Sequence, residues 1–214
     1  MKSSPVVSTQ TGIHQNLSAV VTKHLHAPFK KPIVSHNQKA FDDIACNIDP
    51  KAQPLIFDSF CGTGESTCAI AQKFPLALVI GIDKSAHRLS KAPLLPNNAL
   101  LVRADTDDFW RIALEQGWQL QKHFIPHPNP WPKPDHLKRR MHGSALWPTL
   151  LQLGGELTLR SNWKTYIDET HHALSISHFT SHVQSLEYQP EPLTAFERKY
   201  QQSDHLLWQL TCQL

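Results

Sequence analysis

The sequence predicts a doubly wound α/β domain, because short apolar runs alternate with helical segments along most of the chain. The runs are continuously apolar rather than alternating, which predicts parallel strands buried on both faces of a sheet. Acidic residues follow several of the runs, as they do at ligand sites beyond the carboxyl ends of parallel strands. The chain has 214 residues, of which 40% are hydrophobic, and this is enough for one core.

The predicted elements follow in chain order. A helix begins near Asn16, and a second helix extends from His36 to about Ile48. The apolar runs then predict strands, with a Gly-containing turn and a helix between the first two, and right-handed crossovers throughout. These runs are Leu55–Phe57, Leu76–Ile82, Leu100–Val102, a segment within Trp118–Ile125, Leu157–Leu159 and Leu206–Leu214.

The N-terminal quarter of the chain differs in composition from the rest. Residues 1–41 contain five Lys, four His and no acidic residue. We predict an N-terminal extension over residues 1–53 and the α/β domain over residues 54–214. Two interpretations of the extension remain open: a helical cover packed on the main domain, or a basic arm that contacts a phosphate backbone.

The overall composition excludes several classes of protein. No run approaches 18 apolar residues and no apolar segment begins the chain, so we expect neither a membrane span nor a secretory signal. The four cysteines form no CxxC pair and the histidines lack ligand spacing, so we expect no metal and a cytoplasmic location. The formal net charge of +3 permits a nucleic-acid partner without requiring one.

Three acidic residues follow predicted strands, and we expect them to meet at one edge of the sheet. They are Asp58, Asp83 and Asp105. Gly62 and Gly64, in the turn after the first strand, allow the backbone to approach a ligand closely. Asp83 comes 19 residues after Gly64, near the offset at which an acid binds ribose hydroxyls in nucleotide-binding domains. This combination predicts a nucleotide-type site, although a Gly-x-Gly alone is also typical of a plain turn.

The kind of nucleotide follows from what the turn lacks. Thr67 stands where a dinucleotide fingerprint has its third glycine, and no Gly-Lys-Ser/Thr is present, which excludes a P-loop. A turn that contacts adenosine without holding a pyrophosphate suits S-adenosylmethionine better than NAD. The sulfur of that donor is cationic, so carboxylates nearby are less unfavourable than they would be beside phosphates.

The segment 126–140 has five prolines in its first nine residues, and it can be neither a helix nor a central strand there. Asn129 offers a donor and an acceptor to a base edge, and Trp131 offers a ring on which a base could stack. Four cations of the segment could neutralise phosphates: Lys133, Lys138, Arg139 and Arg140. The alternative is a rigid loop with Trp131 buried and a solvated basic helix start.

These motifs together resemble those of the tRNA (guanine-N7-)-methyltransferases. That family uses S-adenosylmethionine, has a Rossmann-like class I methyltransferase fold and modifies a guanine in the tRNA variable loop. Asn-Pro-Trp-Pro-Lys at 129–133, with Lys-Arg-Arg at 138–140, resembles the signature loop of the family, and residues 58–66 resemble its donor turn. Further resemblances occur in the same order at Gly81–Asp83, Ala104–Asp105, Ser161–Trp163 and Thr194–Arg198.

The resemblance implies a mostly parallel sheet with an antiparallel C-terminal strand, and a monomer or homodimer that binds tRNA without a metal. It assigns catalysis to Asn129 and Glu197, with Glu197 accepting hydrogen bonds from N1–H and the N2 amine of guanine. It assigns binding of S-adenosylmethionine to Asp58, Gly62, Gly64, Asp83, Asp105 and Asn129. It assigns binding of tRNA to Lys133, Lys138, Arg139, Arg140, Asn162, Thr194, Glu197 and Arg198.

The sequence departs from the family pattern at four positions. Asn129 and Asn162 replace acidic residues, Phe60 replaces the first glycine of the donor turn, and Ala195 replaces a lysine. Two other functions therefore remain open. One is a non-catalytic paralogue that binds tRNA or S-adenosylmethionine, and the other is a methyltransferase that acts on a different RNA or on a protein.

Overall fold

The computed structural model describes residues 2–187 and 192–214, which form a seven-stranded sheet with helices packed against it. The strands are β1 Leu55–Ser59, β2 Leu78–Asp83, β3 Ala99–Arg103, β4 Lys122–Pro126, β5 Glu156–Ser161, β6 Ser181–Leu186 and β7 Leu207–Gln213. The helices are α1 Leu17–Leu25, α2 Ser35–Ala45, α3 Glu65–Lys73, α4 Ala86–Leu89, α5 Thr106–Glu115, α6 Trp147–Leu153, α7 Lys164–Ile176 and α8 Ala195–Gln201. Two short 3₁₀ helices follow the proline segment, at Pro134–Arg139 and Met141–Gly143.

The strand order is β3-β2-β1-β4-β5-β7-β6. Strands β1 to β5 pair in parallel, and β7 lies antiparallel between β5 and β6. The fold class expected from the sequence, including the antiparallel C-terminal strand, is therefore confirmed. The order reverses between β1 and β4, and in sheets of this kind ligands bind beyond the carboxyl ends of the strands at that point.

The strand interiors are apolar because both faces of the sheet are covered. Leu55 and Phe57 of β1 belong to the larger core cluster, whereas Ile56 between them belongs to a second cluster with Ile70 of α3. Successive side chains of a strand point to opposite faces, so the two clusters lie on the two faces of the sheet. Among the described residues, no helix is long and apolar enough to span a membrane.

Strand β6 was not predicted, and its residues explain why. Its sequence is Ser-His-Val-Gln-Ser-Leu, it lies at the edge of the sheet, and most of its side chains are at least partly exposed. An edge strand has one neighbour and little apolar cover, so it lacks the continuous apolar run by which the buried strands were recognised.

The two N-terminal helices pack on the larger core cluster. Leu17 and Val21 of α1 are completely buried. Phe41 of α2 contacts Phe109 and Trp118, with ring centroids 5.2 and 4.7 Å apart. This packing is what the helical-cover interpretation of the extension predicts.

A buried ionic cluster joins the N-terminal segment to the main domain. Glu169 of α7 accepts hydrogen bonds from Arg140 Nη1 at 2.6 Å and from His142 Nε2 at 2.9 Å. Its other oxygen accepts from Gln10 Nε2 at 2.7 Å and from the backbone N–H of His14 at 3.0 Å. Burial alone would raise the pKa of Glu169, but these donors outweigh it and lower the pKa to about 2. Glu169 is therefore ionised and fully paired.

We predict that Glu169→Ala lowers the free energy of unfolding by about 3–5 kcal/mol, because it leaves the buried guanidinium of Arg140 without its partner. The control is Asp168→Ala at the neighbouring position, which removes only an exposed pair with Lys164 and should cost about 0.5 kcal/mol or less. Urea unfolding at pH 7 measures both. Similar losses for the two variants would contradict this account of the cluster.

Candidate active site

A cavity of about 770 Å³ lies beyond the carboxyl ends of the strands. Gly62 of the glycine turn and Trp131 of the proline segment both line it, as do Asp83 and Asp105. Residues of α8 form a further part of the wall: Ala195, Phe196, Lys199 and Tyr200. The structure thus brings the glycine turn, two strand-end acids and the proline segment into one site.

The glycine turn needs its glycines for different reasons. Gly62 and Gly64 have φ angles of +62° and +77°, in the left-handed region that disfavours other residues. Gly62 lines the cavity, and a Cβ there would meet no atom within 4 Å, so the space beside it is open. Gly64 precedes α3 outside the cavity wall, and a Cβ there would lie 2.9 Å from Leu101. Gly62 is therefore placed to approach a ligand, whereas Gly64 shapes the turn.

The first strand-end acid, Asp58, lies behind the turn rather than in the cavity wall. Its Oδ2 accepts hydrogen bonds of 2.6 Å from Ser66 Oγ and Thr67 Oγ1, and its side chain is completely buried. Burial raises the pKa of Asp58 to about 6, despite the two hydroxyl donors. The direct contact with the cofactor that was expected for Asp58 is not available in this arrangement, and the residue instead holds the start of α3.

Asp83 lines the cavity and is already engaged by the protein. Its Oδ2 accepts from the N–H of Gly62 at 3.0 Å, and its Oδ1 accepts from the N–H of Ser85 at 2.8 Å. Arg88 pairs with the same Oδ1 at 2.9 Å and also lines the cavity. A carboxylate oxygen can accept two hydrogen bonds, so Oδ2 retains one free position for a ligand hydroxyl.

Asp105 lines the cavity from the start of α5, where its Oδ1 accepts from the N–H of Asp107 at 3.1 Å. Its own N–H donates to Asn37 Oδ1 at 3.0 Å, which ties it to α2. Asp107 is a further lining acid that the sequence did not single out. Burial, together with the neighbouring charge of Asp105, raises the pKa of Asp107 to about 6.

Phe60 adopts a left-handed conformation, with a φ angle of +63°, although it has a side chain. Its ring lies edge-on to the buried Trp110, with centroids 6.1 Å apart. Trp110 in turn donates from Nε1 to Ser59 Oγ at 2.9 Å. The aromatic contact holds Phe60 in a conformation that a glycine would adopt without strain.

The proline segment presents Asn129 and Trp131 to the cavity. Asn129 is exposed, whereas Trp131 is only partly buried and adopts a left-handed φ angle of +46°. The guanidinium of Arg139 lies 4.9 Å from the centre of the Trp131 ring, a cation–π contact. Because Trp131 faces the cavity, the alternative of a rigid loop with a buried tryptophan is not what the structure shows.

The predicted tRNA-binding cations occupy three different environments. Lys138 and Arg139 are exposed and line the cavity, and Lys133 is exposed outside its wall. Arg140 corrects the prediction, because its side chain is completely buried and its guanidinium binds Glu169. Since it has no exposed surface, it cannot contact a phosphate and acts in the core instead.

Glu197 also departs from the prediction. Its side chain is completely buried, and it accepts hydrogen bonds from His127 Nε2 at 3.1 Å and from Arg160 Nη1 at 3.0 Å. The N–H of Leu193 donates to its other oxygen at 2.7 Å. Burial opposes ionisation, but His127 and Arg160 outweigh it and lower the pKa of Glu197 to about 2. Glu197 does not line the cavity, so the expected direct contact with a base is corrected.

The remaining predicted residues come from the C-terminal third of the chain. Thr194 lines the cavity and caps α8, accepting the N–H of Glu197 at 3.0 Å. Asn162 lines the cavity and hydrogen-bonds through Nδ2 to His205 Nδ1 at 3.2 Å. Arg198 forms an ion pair with Glu65, a lining residue of the glycine-turn side. This pair joins α8 to α3.

Several lining residues were missed by the sequence interpretation, among them Arg88, His127, Phe196 and Lys199. Phe196 could have been identified from the sequence, since it lies inside the Thr194–Arg198 motif. In the structure it is 51% exposed. Within the described ranges, no group of three or more His, Cys, Asp or Glu residues is arranged to hold a metal ion.

Comparisons with known proteins agree with this geometry. Residues 52–210 match the profile of a family described as putative methyltransferase. The chain is 31% identical to the tRNA (guanine-N(7)-)-methyltransferase of Acidithiobacillus ferrooxidans over 74% of each chain.

Two solved structures share the fold. The structure of an antibiotic-related methyltransferase has a TM-score of 0.56 at 14% identity, covering 86% of this chain and 97% of that one. A 16S rRNA (adenine(1408)-N(1))-methyltransferase variant from Catenulisporales acidiphilia, solved with its cosubstrate SAM, has a TM-score of 0.54 at 14% identity. It covers 78% of this chain and 92% of that one. At this identity the likeness shows the class I methyltransferase fold alone.

Proposed function

Since the chain belongs to the family of tRNA (guanine-N(7)-)-methyltransferases, we propose that it transfers a methyl group from S-adenosylmethionine to N7 of a guanine in tRNA. The observation that carries this proposal is the shared cavity. Gly62, Asp83 and Asp105 line this cavity, and so do residues of the proline segment together with Lys138 and Arg139. A donor site and a basic surface therefore face the same space.

The glycine turn and the strand-end acids that line the cavity fit an adenosyl cofactor. Gly62 leaves open space beside the backbone, and Asp83 keeps one acceptor position for a ribose hydroxyl. Asp105 and Asp107 place further acceptors in the lining of the cavity. This set of carboxylates suits a cationic ligand without phosphates. When bound, S-adenosylmethionine would supply an electrophilic methyl group.

The proposed reaction requires little acid–base catalysis from the protein. N7 of guanine has a lone pair and no proton at neutral pH, so it attacks the methyl carbon directly as the carbon–sulfur bond breaks. The protein must align the base with the donor, which is worth several kcal/mol of the barrier. It must also stabilise positive charge that moves onto the guanine ring.

Asn129 and Asn162 line the cavity where the resemblance places acidic residues. Their amide oxygens accept hydrogen bonds from a base edge or an ammonium group, but they carry no charge. Losing a strong electrostatic contact lowers a rate by about 10²–10³-fold. We therefore propose slower chemistry than in an enzyme that has both acids, and not a loss of activity.

The non-catalytic paralogue is not favoured, since Asp83, Asp105 and the open cavity are all retained. Within this proposal, tRNA is the partner, the protein acts in the cytoplasm, and it is a monomer or homodimer. The division into an extension over residues 1–53 and a methyltransferase domain over residues 54–214 is part of the same proposal.

We predict that the purified protein labels 7-methylguanosine when it is incubated with tRNA and isotopically labelled S-adenosylmethionine. Nucleoside mass spectrometry identifies the labelled product. Label in a different nucleoside or in protein would support the other substrate class. Donor binding by calorimetry without any transfer to tRNA would support the non-catalytic paralogue.

We predict that Asp83→Asn weakens S-adenosylmethionine binding by about 10- to 100-fold, because a hydrogen bond to a charged group contributes about 1.5–3 kcal/mol. Asp49→Asn is the control, since Asp49 is exposed and lies outside the cavity wall. Titration calorimetry with the donor measures both variants. An unchanged dissociation constant for Asp83→Asn would remove this residue from the donor site.

We predict that Lys138→Glu with Arg139→Glu weakens tRNA binding and reduces the slope of log K against log salt by about 2, one per lost phosphate contact. Lys51→Glu with Lys73→Glu makes the same change of charge at exposed residues outside the cavity wall. Filter binding over a range of salt concentrations measures both slopes. Equal slopes for the two double variants would show that net charge, and not this surface, sets the affinity.

A further inference from the structure

Phe196 is an aromatic residue of the cavity to which the methyl-transfer scheme above gives no role. The chain has nine Phe and six Trp, all within the described residues, and Phe196 is the only one of them that is exposed. It is 51% exposed and lines the cavity, as Asn129 and Asn162 do. A ligand that covers this ring would remove apolar surface from water, which is favourable.

The ring of Phe196 belongs to an aromatic stack. Tyr200, one helical turn further along α8, lies against it with centroids 6.2 Å apart and an angle of 28° between the rings. His205 stacks on Tyr200 with centroids 5.4 Å apart. The stack is fixed to the site, because Asn162 Nδ2 donates to His205 Nδ1 at 3.2 Å. Tyr200 thus restricts the orientation of the Phe196 ring, while half of Phe196 stays available to a ligand.

The strand order separates Phe196 from the acids proposed to bind the cofactor. Asp83 ends β2 and Asp105 follows β3, whereas Glu197, beside Phe196 in the chain, is bound by Arg160 of β5 and by a residue that follows β4. Strand β1 lies between these two pairs of strands. Adenosine held by the two aspartates occupies the β2–β3 side, so Phe196 is placed for the other ligand, the base that receives the methyl group.

We propose that the ring of Phe196 stacks on the target guanine and stabilises the positive charge that methyl transfer places on that base. This inference rests on the proposed function and adds a substrate contact to it. The bond from guanine N7 to the methyl carbon forms, the carbon–sulfur bond breaks, and its electron pair remains on sulfur. The guanine thereby becomes a cation, and no proton leaves it in this step.

The chemistry of a phenyl ring suits this charge. Its face is electron-rich and attracts a cation placed over it. Any base can stack on an aromatic ring, but the methylated guanine is a cation and the unmethylated guanine is not. Phe196 therefore binds the transition state and the product better than the substrate, as catalysis requires. Asn129 and Asn162 carry no charge, so the ring supplies part of the stabilisation that acidic residues would give.

Two changes at position 196 separate the electrons of the ring from its bulk. Phe196→Leu removes the ring and keeps an apolar side chain. Replacement of Phe196 by a ring-trifluorinated phenylalanine keeps the flat ring and withdraws electrons from its face. Leu206→Ala is the control, because Leu206 is 69% exposed and lies outside the cavity lining. Methyl transfer from saturating labelled S-adenosylmethionine to unfractionated tRNA is measured in single turnovers, together with the urea unfolding midpoint.

We expect Phe196→Leu to transfer the methyl group about 5- to 100-fold more slowly than the wild type. The trifluorinated protein should be about 2- to 30-fold slower, although its ring has nearly the same shape. Both should keep the wild-type unfolding midpoint because the side chain is exposed, and Leu206→Ala should match the wild-type rate. A wild-type rate in either protein changed at position 196 would overturn the proposal.

Binding of mononucleotides gives a readout that does not depend on turnover. The probes are the monophosphates of 7-methylguanosine and guanosine, titrated by calorimetry into protein saturated with S-adenosylhomocysteine at mildly acidic pH, where the methylated base is cationic. The wild type should bind the methylated nucleotide more tightly, and Phe196→Leu should lose this preference. A wild type without the preference, or a Phe196→Leu variant that retains it, would overturn the proposal.

The nucleoside labelled by the wild type tests the proposed function separately. Label in a nucleoside other than 7-methylguanosine would refute that function. The preference for the methylated nucleotide, and its loss in Phe196→Leu, would still decide whether the ring binds a methylated guanine.

Discussion

The parallel pairing of β1 with β2 and β4 is the constraint on which the rest of the site depends. Asp58 pairs with Gly81 on one side and with Phe124 on the other, so the three strands end at one edge. The glycine turn, Asp83 and the proline segment follow these strand ends, although they are far apart in the chain. The N–H of Gly62 then binds Asp83, which links the turn of β1 to the end of β2.

The sequence was informative wherever a residue's role follows from local chemistry. Continuous apolar runs identified the buried strands, and the spacing from Gly64 to Asp83 located two elements of one site. Strand β6 escaped because an exposed edge leaves no apolar run. Its presence depends on pairing with β7, a contact between segments distant in sequence.

The same reasoning fails for charged residues, because sequence shows a charge and not its burial. Arg139 and Arg140 are adjacent and chemically alike, yet one lies over Trp131 at the cavity and the other is buried against Glu169. Glu197 was assigned to the base, but Arg160 and His127, from two other segments, enclose it. Motif likeness located the right region and could not distinguish the side chain that faces the cavity from the one that supports it.

The left-handed conformations of Phe60, His127 and Trp131 have a consequence for substitutions at these positions. Each is a non-glycine residue in the cavity wall, and each is kept in place by surrounding aromatic or ionic contacts. Glycine at any of these positions would relax the backbone and remove the ring that shapes the wall. The side-chain contacts at these three residues therefore offset the strain of the backbone, and a glycine would remove both together.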